Sequence, residues 1–96
     1  MKFTVKKVDI RIPSIQTTLG FLQRKILPED APYDTTRGHW WIVYAECGKP
    51  VAFAGLVRSI KWNDTGYFCR AGVMEGFTGH GLQKRLIKAR LAQAKR

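Results

Sequence analysis

Cysteine is scarce in this chain, with only the isolated Cys47 and Cys69, which do not form the set of spaced cysteines that outlines a disulfide framework. A disulfide is therefore not expected. Together with His39 and His80 they also lack the spacing of a metal site, and turn or solvent-facing histidines are the ordinary case. No apolar run is long enough to cross a bilayer and no cleavable apolar leader follows Met1-Lys2, so a cytoplasmic protein without membrane or metal is expected. Internal repeats, low-complexity tracts and linkers are missing too, which leaves a single domain over residues 1–96. Acidic residues are the most conspicuous shortage: 7 Asp and Glu face 17 Lys and Arg, none follows Glu75, and the formal charge is +10.

What is present is a regular alternation of apolar and polar positions. Phe3 to Val8 alternates as a strand does, and Pro13 to Leu27 carries Ile15, Leu19, Leu22, Ile26 and Leu27 at helical spacing before Pro28. Trp40 to Glu46 and Val51 to Ile60 are nearly continuous apolar runs joined by Cys47-Gly48-Lys49-Pro50, a link short enough to require an antiparallel hairpin. A second short link, Lys61 to Gly66, leads into Tyr67 to Val73. The order is thus β-α-(loop or short helix)-β-β-β-α, an α/β (α+β) domain with a mostly antiparallel sheet covered on both faces.

The most informative stretch is Ala71-Gly72-Val73-Met74-Glu75-Gly76-Phe77-Thr78-Gly79-His80-Gly81-Leu82-Gln83-Lys84, where a strand passes through a glycine-rich turn into a basic helix. Backbone N–H groups at a helix start are left without intrahelical partners and carry the positive end of the dipole, so a phosphate is the expected guest. Two common phosphate motifs are excluded by spacing. Gly76 and Gly81 have the separation of a P-loop, but Leu82 and Gln83 replace its Lys and hydroxyl; Gly79 and Gly81 open a dinucleotide fingerprint whose third glycine is Lys84. Such glycines also serve simply as positive-φ turn residues, and it is the order of elements upstream that favours the anion site.

Thr78-Gly79-His80-Gly81-Leu82-Gln83 resembles the [QR]-x-x-G-x-[GA] cofactor segment of the GNAT superfamily of acyl-CoA-dependent N-acetyltransferases, with Val73 ending the preceding strand and Phe77 at a position usually aromatic. Gly81 matches the central glycine, whereas Thr78 replaces Gln or Arg and Gln83 replaces a small residue. The element order resembles the first part of the same fold over the whole chain. The resemblance implies a GNAT-like sheet flanked by helices, with the C-terminal part of the domain lacking. It further implies transfer of an acetyl group from acetyl-CoA to a primary amine. Gly72, Val73, Thr78, Gly79, His80, Gly81, Leu82, Gln83 and Lys84 are the implied cofactor-binding residues. In the family a further strand, a helix and a closing strand pair follow, so the Tyr67 to Val73 edge is expected to be covered by a second copy, a complementary chain or the rest of a longer parent. General acid and base are not identified; Glu46, Glu75 and Tyr67 are the candidate proton acceptors.

The charge raises a rival partner. On a helical wheel Leu82, Leu86 and Ala89 form one face of the last helix, Ile87, Leu91 and Ala94 a second apolar strip, and Lys84, Lys88 and Lys95 the outside. A solvated face is the ordinary reading of such lysines. They also suit the phosphates of CoA, or nucleic acid with Trp40, Trp41, Trp62 and Tyr67 as stacking surfaces, the alternative being a non-catalytic CoA-binding or nucleic-acid-binding module; against nucleic acid, no recognisable motif is present and core packing is the ordinary explanation of aromatics in or beside strands. The polar segment Pro28 to Gly38, with Glu29, Asp30 and Asp34, reads first as a flexible loop; the resemblance implies instead a region that shapes the acceptor site, where its carboxylates suit a cationic amine.

Overall fold

The computed structural model describes residues 2–28, 35–58 and 66–94. Six elements follow one another: β1 (Phe3–Val8), α1 (Pro13–Ile26), β2 (His39–Ala45), β3 (Pro50–Arg58), β4 (Gly66–Val73) and α2 (Leu82–Ala94). The strands form one antiparallel sheet in the order β1-β2-β3-β4. The expected order of elements is thus observed, with ends moved by one or two residues. The links at 29–34 and 59–65 lie outside the described residues, and so does Trp62.

The near-continuous apolar runs of β2 and β3 arise because both faces of the sheet are covered. Trp40 and Ile42 of β2 and Phe53 of β3 meet Leu19 and Leu22 of α1, all fully buried. The alternate residues Trp41, Val43, Ala52, Ala54 and Leu56 meet Leu82 and Leu86 of α2 on the opposite face. Burying side chains of this size stabilises the fold by about 1.5–3 kcal/mol each. The pairing of Val43 with Ala52 but Tyr44 with Pro50 makes Val51 the extra residue of a bulge, which turns it into the α2-side cluster beside Ala52. Trp40 and Trp41 are therefore core residues rather than stacking surfaces.

Pro13 starts α1 at the position where a missing N–H costs least, and Arg24 and Lys25 sit in its last turn, where cations favour the dipole. The helix ends as the Leu27 N–H donates to the Gln23 carbonyl at 2.8 Å. Its last residue lies directly on β4: a Cβ added to Gly72 would stand 2.3 Å from Ile26 Cγ2. Only a glycine admits this approach, so Gly72 sets how closely α1 packs on the strand that leads to the turn.

Candidate functional site

Residues 74–81 connect β4 to α2 and are built to hold backbone donors outward. The Met74 N–H donates to the Val51 carbonyl at 2.8 Å, continuing the β3–β4 ladder one residue past the strand. Because successive residues of a strand point their N–H groups to opposite sides, this bond turns the Val73 N–H away from β3, towards the open side of the sheet. The Phe77 N–H then donates to the Met74 carbonyl at 3.0 Å, and the Arg85 N–H to the Gly81 carbonyl at 3.1 Å starts the helix. The N–H groups of Leu82, Gln83 and Lys84 precede that first helical bond.

Three glycines shape the turn, and two of them bear on a ligand. Gly79 and Gly81 have φ of +88° and +72°, left-handed values that other residues adopt at a cost, and a Cβ on either would meet nothing within 4 Å. The turn therefore presents bare backbone to open space. The result is a cleft of about 370 Å³ lined by Val73, Phe77, Thr78, Gly79, Gly81, Leu82, Gln83 and Lys84. Anions are favoured there by the helix start, the Thr78 hydroxyl and the Lys84 ammonium together, and among the described residues no carboxylate lines the cleft.

Seven of the nine sequence-expected cofactor residues thus come together around one concavity. The other two do not line it. Gly72 packs its backbone against α1, and the exposed His80 tilts its ring against Phe3, with centroids 5.1 Å apart. Phe77, outside that set, is part of the wall, and the aromatic position ahead of the glycines was its signal in the sequence. Its ring meets Phe3 edge-on, with centroids 6.1 Å apart, and Lys49 Nζ lies 5.9 Å above it, so β1 and the β2–β3 hairpin both hold the turn in place. The same ring separates the cleft from a second one of about 420 Å³ lined by Ala45, Glu46 and Cys47.

Of the candidate proton acceptors, Glu46 lines that neighbouring cleft and Glu75 is exposed in the turn, while the Tyr67 side chain lies outside the described residues. On α2, Leu82 and Leu86 are buried and Ala89 half-buried, as the wheel implies, and Lys84 and Lys88 are exposed. Ile87 and Leu91 remain 41% and 46% exposed. Arg90, which the wheel left unplaced, is buried; it follows Leu86 by one turn and so falls on the inward stripe. Lys95 lies outside the described residues.

Among the described residues there is no cluster of three metal-ligating side chains, and no helix is long and apolar enough to cross a membrane. The carboxyl of Asp9 is held below its ordinary range by hydrogen bonds from the Arg11 side chain and backbone, on the exposed link between β1 and α1. The imidazole of His39 is pushed below its ordinary range, first by partial desolvation at the start of β2 and then by the nearby Lys7 ammonium.

Comparison with known proteins bears on this geometry. The family model described as acetyltransferase (GNAT) family matches residues 12–96. An acyl-CoA N-acyltransferase from Pseudomonas aeruginosa superposes with a TM-score of 0.78 at 16% identity, covering 99% of this chain and 72% of that one. An aminoglycoside antibiotic 6'-N-acetyltransferase from Acinetobacter baumannii gives 0.74 at 11% identity, covering 98% and 72%. The ribosomal-protein-S18-alanine N-acetyltransferase from Escherichia coli gives 0.71 at 13% identity, covering 97% and 59%. The chain thus spans about three-fifths to seven-tenths of these solved chains. No curated protein matches it in sequence.

Proposed function

The chain belongs to the acetyltransferase (GNAT) family, and from that premise we propose that it serves N-acetyl transfer, with acetyl-CoA as donor and a primary amine as acceptor. The observation that carries this reading is the cleft at the start of α2, where Gly79 and Gly81 leave open space in front of the N–H groups of the first helical turn. A pyrophosphate fits that chemistry: it needs several donors converging without side chains in the way, and a cation beside them. In this reading Thr78 to Lys84 hold the pyrophosphate, and Lys84 adds charge at its edge.

Bound acetyl-CoA supplies an activated thioester; the amine nitrogen bonds to its carbonyl carbon, the C–S bond breaks, the nitrogen loses a proton and the thiolate leaves to gain one. This chain's own contribution is to place and polarise. The Val73 N–H, turned to the open side of the sheet, is positioned to donate to a carbonyl laid along β4, and such a donor gains strength as the oxygen becomes an oxyanion. Phe77 forms one wall of the cleft. Glu46, which lines the neighbouring cleft across that ring, is in this reading the carboxylate that accepts a proton, directly or through water. Residues 1–96 act as one domain, and the outer edge of β4, which has no strand beside it among the described residues, takes a further strand from a second copy, a complementary chain or a longer parent.

Two measurements test the proposal. Calorimetric titration with CoA should show saturable binding, and a thiol-release assay with acetyl-CoA should respond to amines drawn from aminoglycosides, polyamines and peptides with free N-termini or lysines. Binding without turnover for any amine, with the β4 edge covered, identifies a non-catalytic CoA-binding module. No CoA binding at millimolar concentration by the folded protein refutes the assignment of the cleft.

A further inference from the structure

The second concentration of positive charge lies away from the cofactor cleft. Between the edge strand β1 and α2 runs a groove of about 480 Å³ lined by Val5, Lys7, Trp41, Arg85, Lys88 and Ala89. Its floor is apolar, with Trp41 buried and Val5 and Ala89 half-buried, while its rim carries three exposed cations and, among the described residues, no carboxylate. The cations are steadied by neutral groups rather than neutralised. Lys7 Nζ donates to Gln93 Oε1 at 2.8 Å, and Arg85 Nη1 donates to the Phe3 carbonyl at 3.1 Å.

The chain's own described carboxylates stand elsewhere. Asp9 pairs with Arg11 at 3.0 Å, Glu46 lines the hairpin cleft and Glu75 sits in the β4–α2 turn. Three like charges along one concavity raise each other's energy unless an external anion meets them. A small anion can meet one or two of these groups at once. A polymer with a charge at every repeat meets them all and gains the release of its condensed counterions.

We propose that the β1–α2 groove binds the phosphate backbone of a single-stranded nucleic acid, separately from the cofactor cleft. Lys7, Arg85 and Lys88 each take a phosphate, and the apolar floor accepts the sugar or base edge between them. With Trp40 and Trp41 in the core, the contacts are mainly to phosphate, so the binding is tolerant of sequence and sensitive to salt.

The test is fluorescence anisotropy with a labelled twelve-nucleotide oligouridylate and the full chain. Single-strand phosphate contacts contribute about 0.7 each to the slope of log K against log salt, so replacing Lys7, Arg85 and Lys88 with Gln should lower the slope by about 2 and weaken binding about a hundredfold at 0.1 M salt. Arg24, Lys25 and Arg37, replaced together by Gln, remove the same charge elsewhere and should cost much less. A charge-keeping variant, Lys7→Arg with Arg85→Lys and Lys88→Arg, should retain most of the affinity, and circular dichroism confirms that each variant is folded. Equal losses in the two Gln variants would show that the attraction is diffuse and overturn the proposal. Displacement of the oligonucleotide by saturating CoA would make the groove part of the cofactor site, and tighter binding of an acidic peptide of equal charge would assign it to a protein partner; either result also overturns it.

Discussion

Placing a carboxylate at Gly81 separates the anion-binding role of the turn from its folding role. Gly81 has φ +72° and open space where a Cβ would stand, so Gly81→Asp and Gly81→Asn fit sterically and share one backbone cost of about 1–2 kcal/mol for the left-handed conformation. The two differ in charge alone. A carboxylate about 5 Å from a pyrophosphate of two negative charges opposes it by about 2 kcal/mol at the dielectric of water and about 7 kcal/mol at an effective value near 20. The Asp variant should therefore bind CoA at least about tenfold more weakly than the Asn variant, since about 1.4 kcal/mol is a factor of ten. Its stability should move the other way: a negative charge at the start of α2 regains about 0.3–1 kcal/mol from the helix dipole, so Asp should melt at or slightly above Asn. Calorimetric titration at pH 7.5 and low salt, beside thermal melts followed by circular dichroism, measures both quantities. If the folded Asp variant binds CoA as tightly as the Asn variant, no phosphate approaches this turn and the reading of the cleft is wrong.

Other perturbations test the scaffold around that turn. Gly72→Ala should destabilise the fold by about 1–3 kcal/mol through its clash with Ile26, and Ile26→Ala in the same chain should recover part of that loss; additive losses in denaturant melts would show that the close approach is unimportant. Phe77→Ala removes the contacts to Phe3 and Lys49 together with one wall of the cleft, so stability should fall by about 1–3 kcal/mol and CoA affinity should drop with it; unchanged affinity would exclude the ring from the site. His39, whose folded pKa is depressed by desolvation and Lys7, takes up a proton less readily folded than unfolded. Its contribution to stability is therefore complete above the ordinary histidine range of about 6.5 and declines as pH falls from there towards the folded value. His39→Gln should flatten that part of the stability–pH curve, and an unchanged slope would assign it to another group.

The fold was legible where periodicity and connection length left few choices. The alternation of Phe3 to Val8, the helical spacing from Ile15 to Leu27 and the four-residue hairpin link each correspond to one observed element. Continuous apolar runs indicated a sheet covered on both faces, and α1 and α2 cover them. Side-chain assignments that depend on distant packing were less legible. Trp40 and Trp41 are adjacent and look alike, yet pleating sends them to opposite clusters and buries both, which composition alone does not reveal. Arg90 reads as another surface cation by residue type, and only its place one turn after Leu86 on a packed helix draws it inside. At the turn, glycine positions predicted the bare backbone, but which neighbour walls the cleft depends on tertiary contacts. Phe77 enters the wall because Phe3 and Lys49 hold it, whereas His80, one residue from Gly81, is drawn towards Phe3.

Helix α2 explains why so basic a segment follows so short a turn. Its buried stripe, Leu82 and Leu86, must face the sheet, which fixes the rotation of every other side chain on the helix. With that rotation set, Lys84 falls beside the turn and lines the cleft, while Arg85 and Lys88 fall towards β1 and line the groove. Adjacent residues of one helix thus serve two concavities because about 100° of rotation separates each residue from the next. Acidic residues anywhere on these positions would set a like charge against phosphate in one concavity or the other, and the sequence has none after Glu75. Both proposed phosphate roles therefore depend on one helix, which is the common wall of the cleft and the groove.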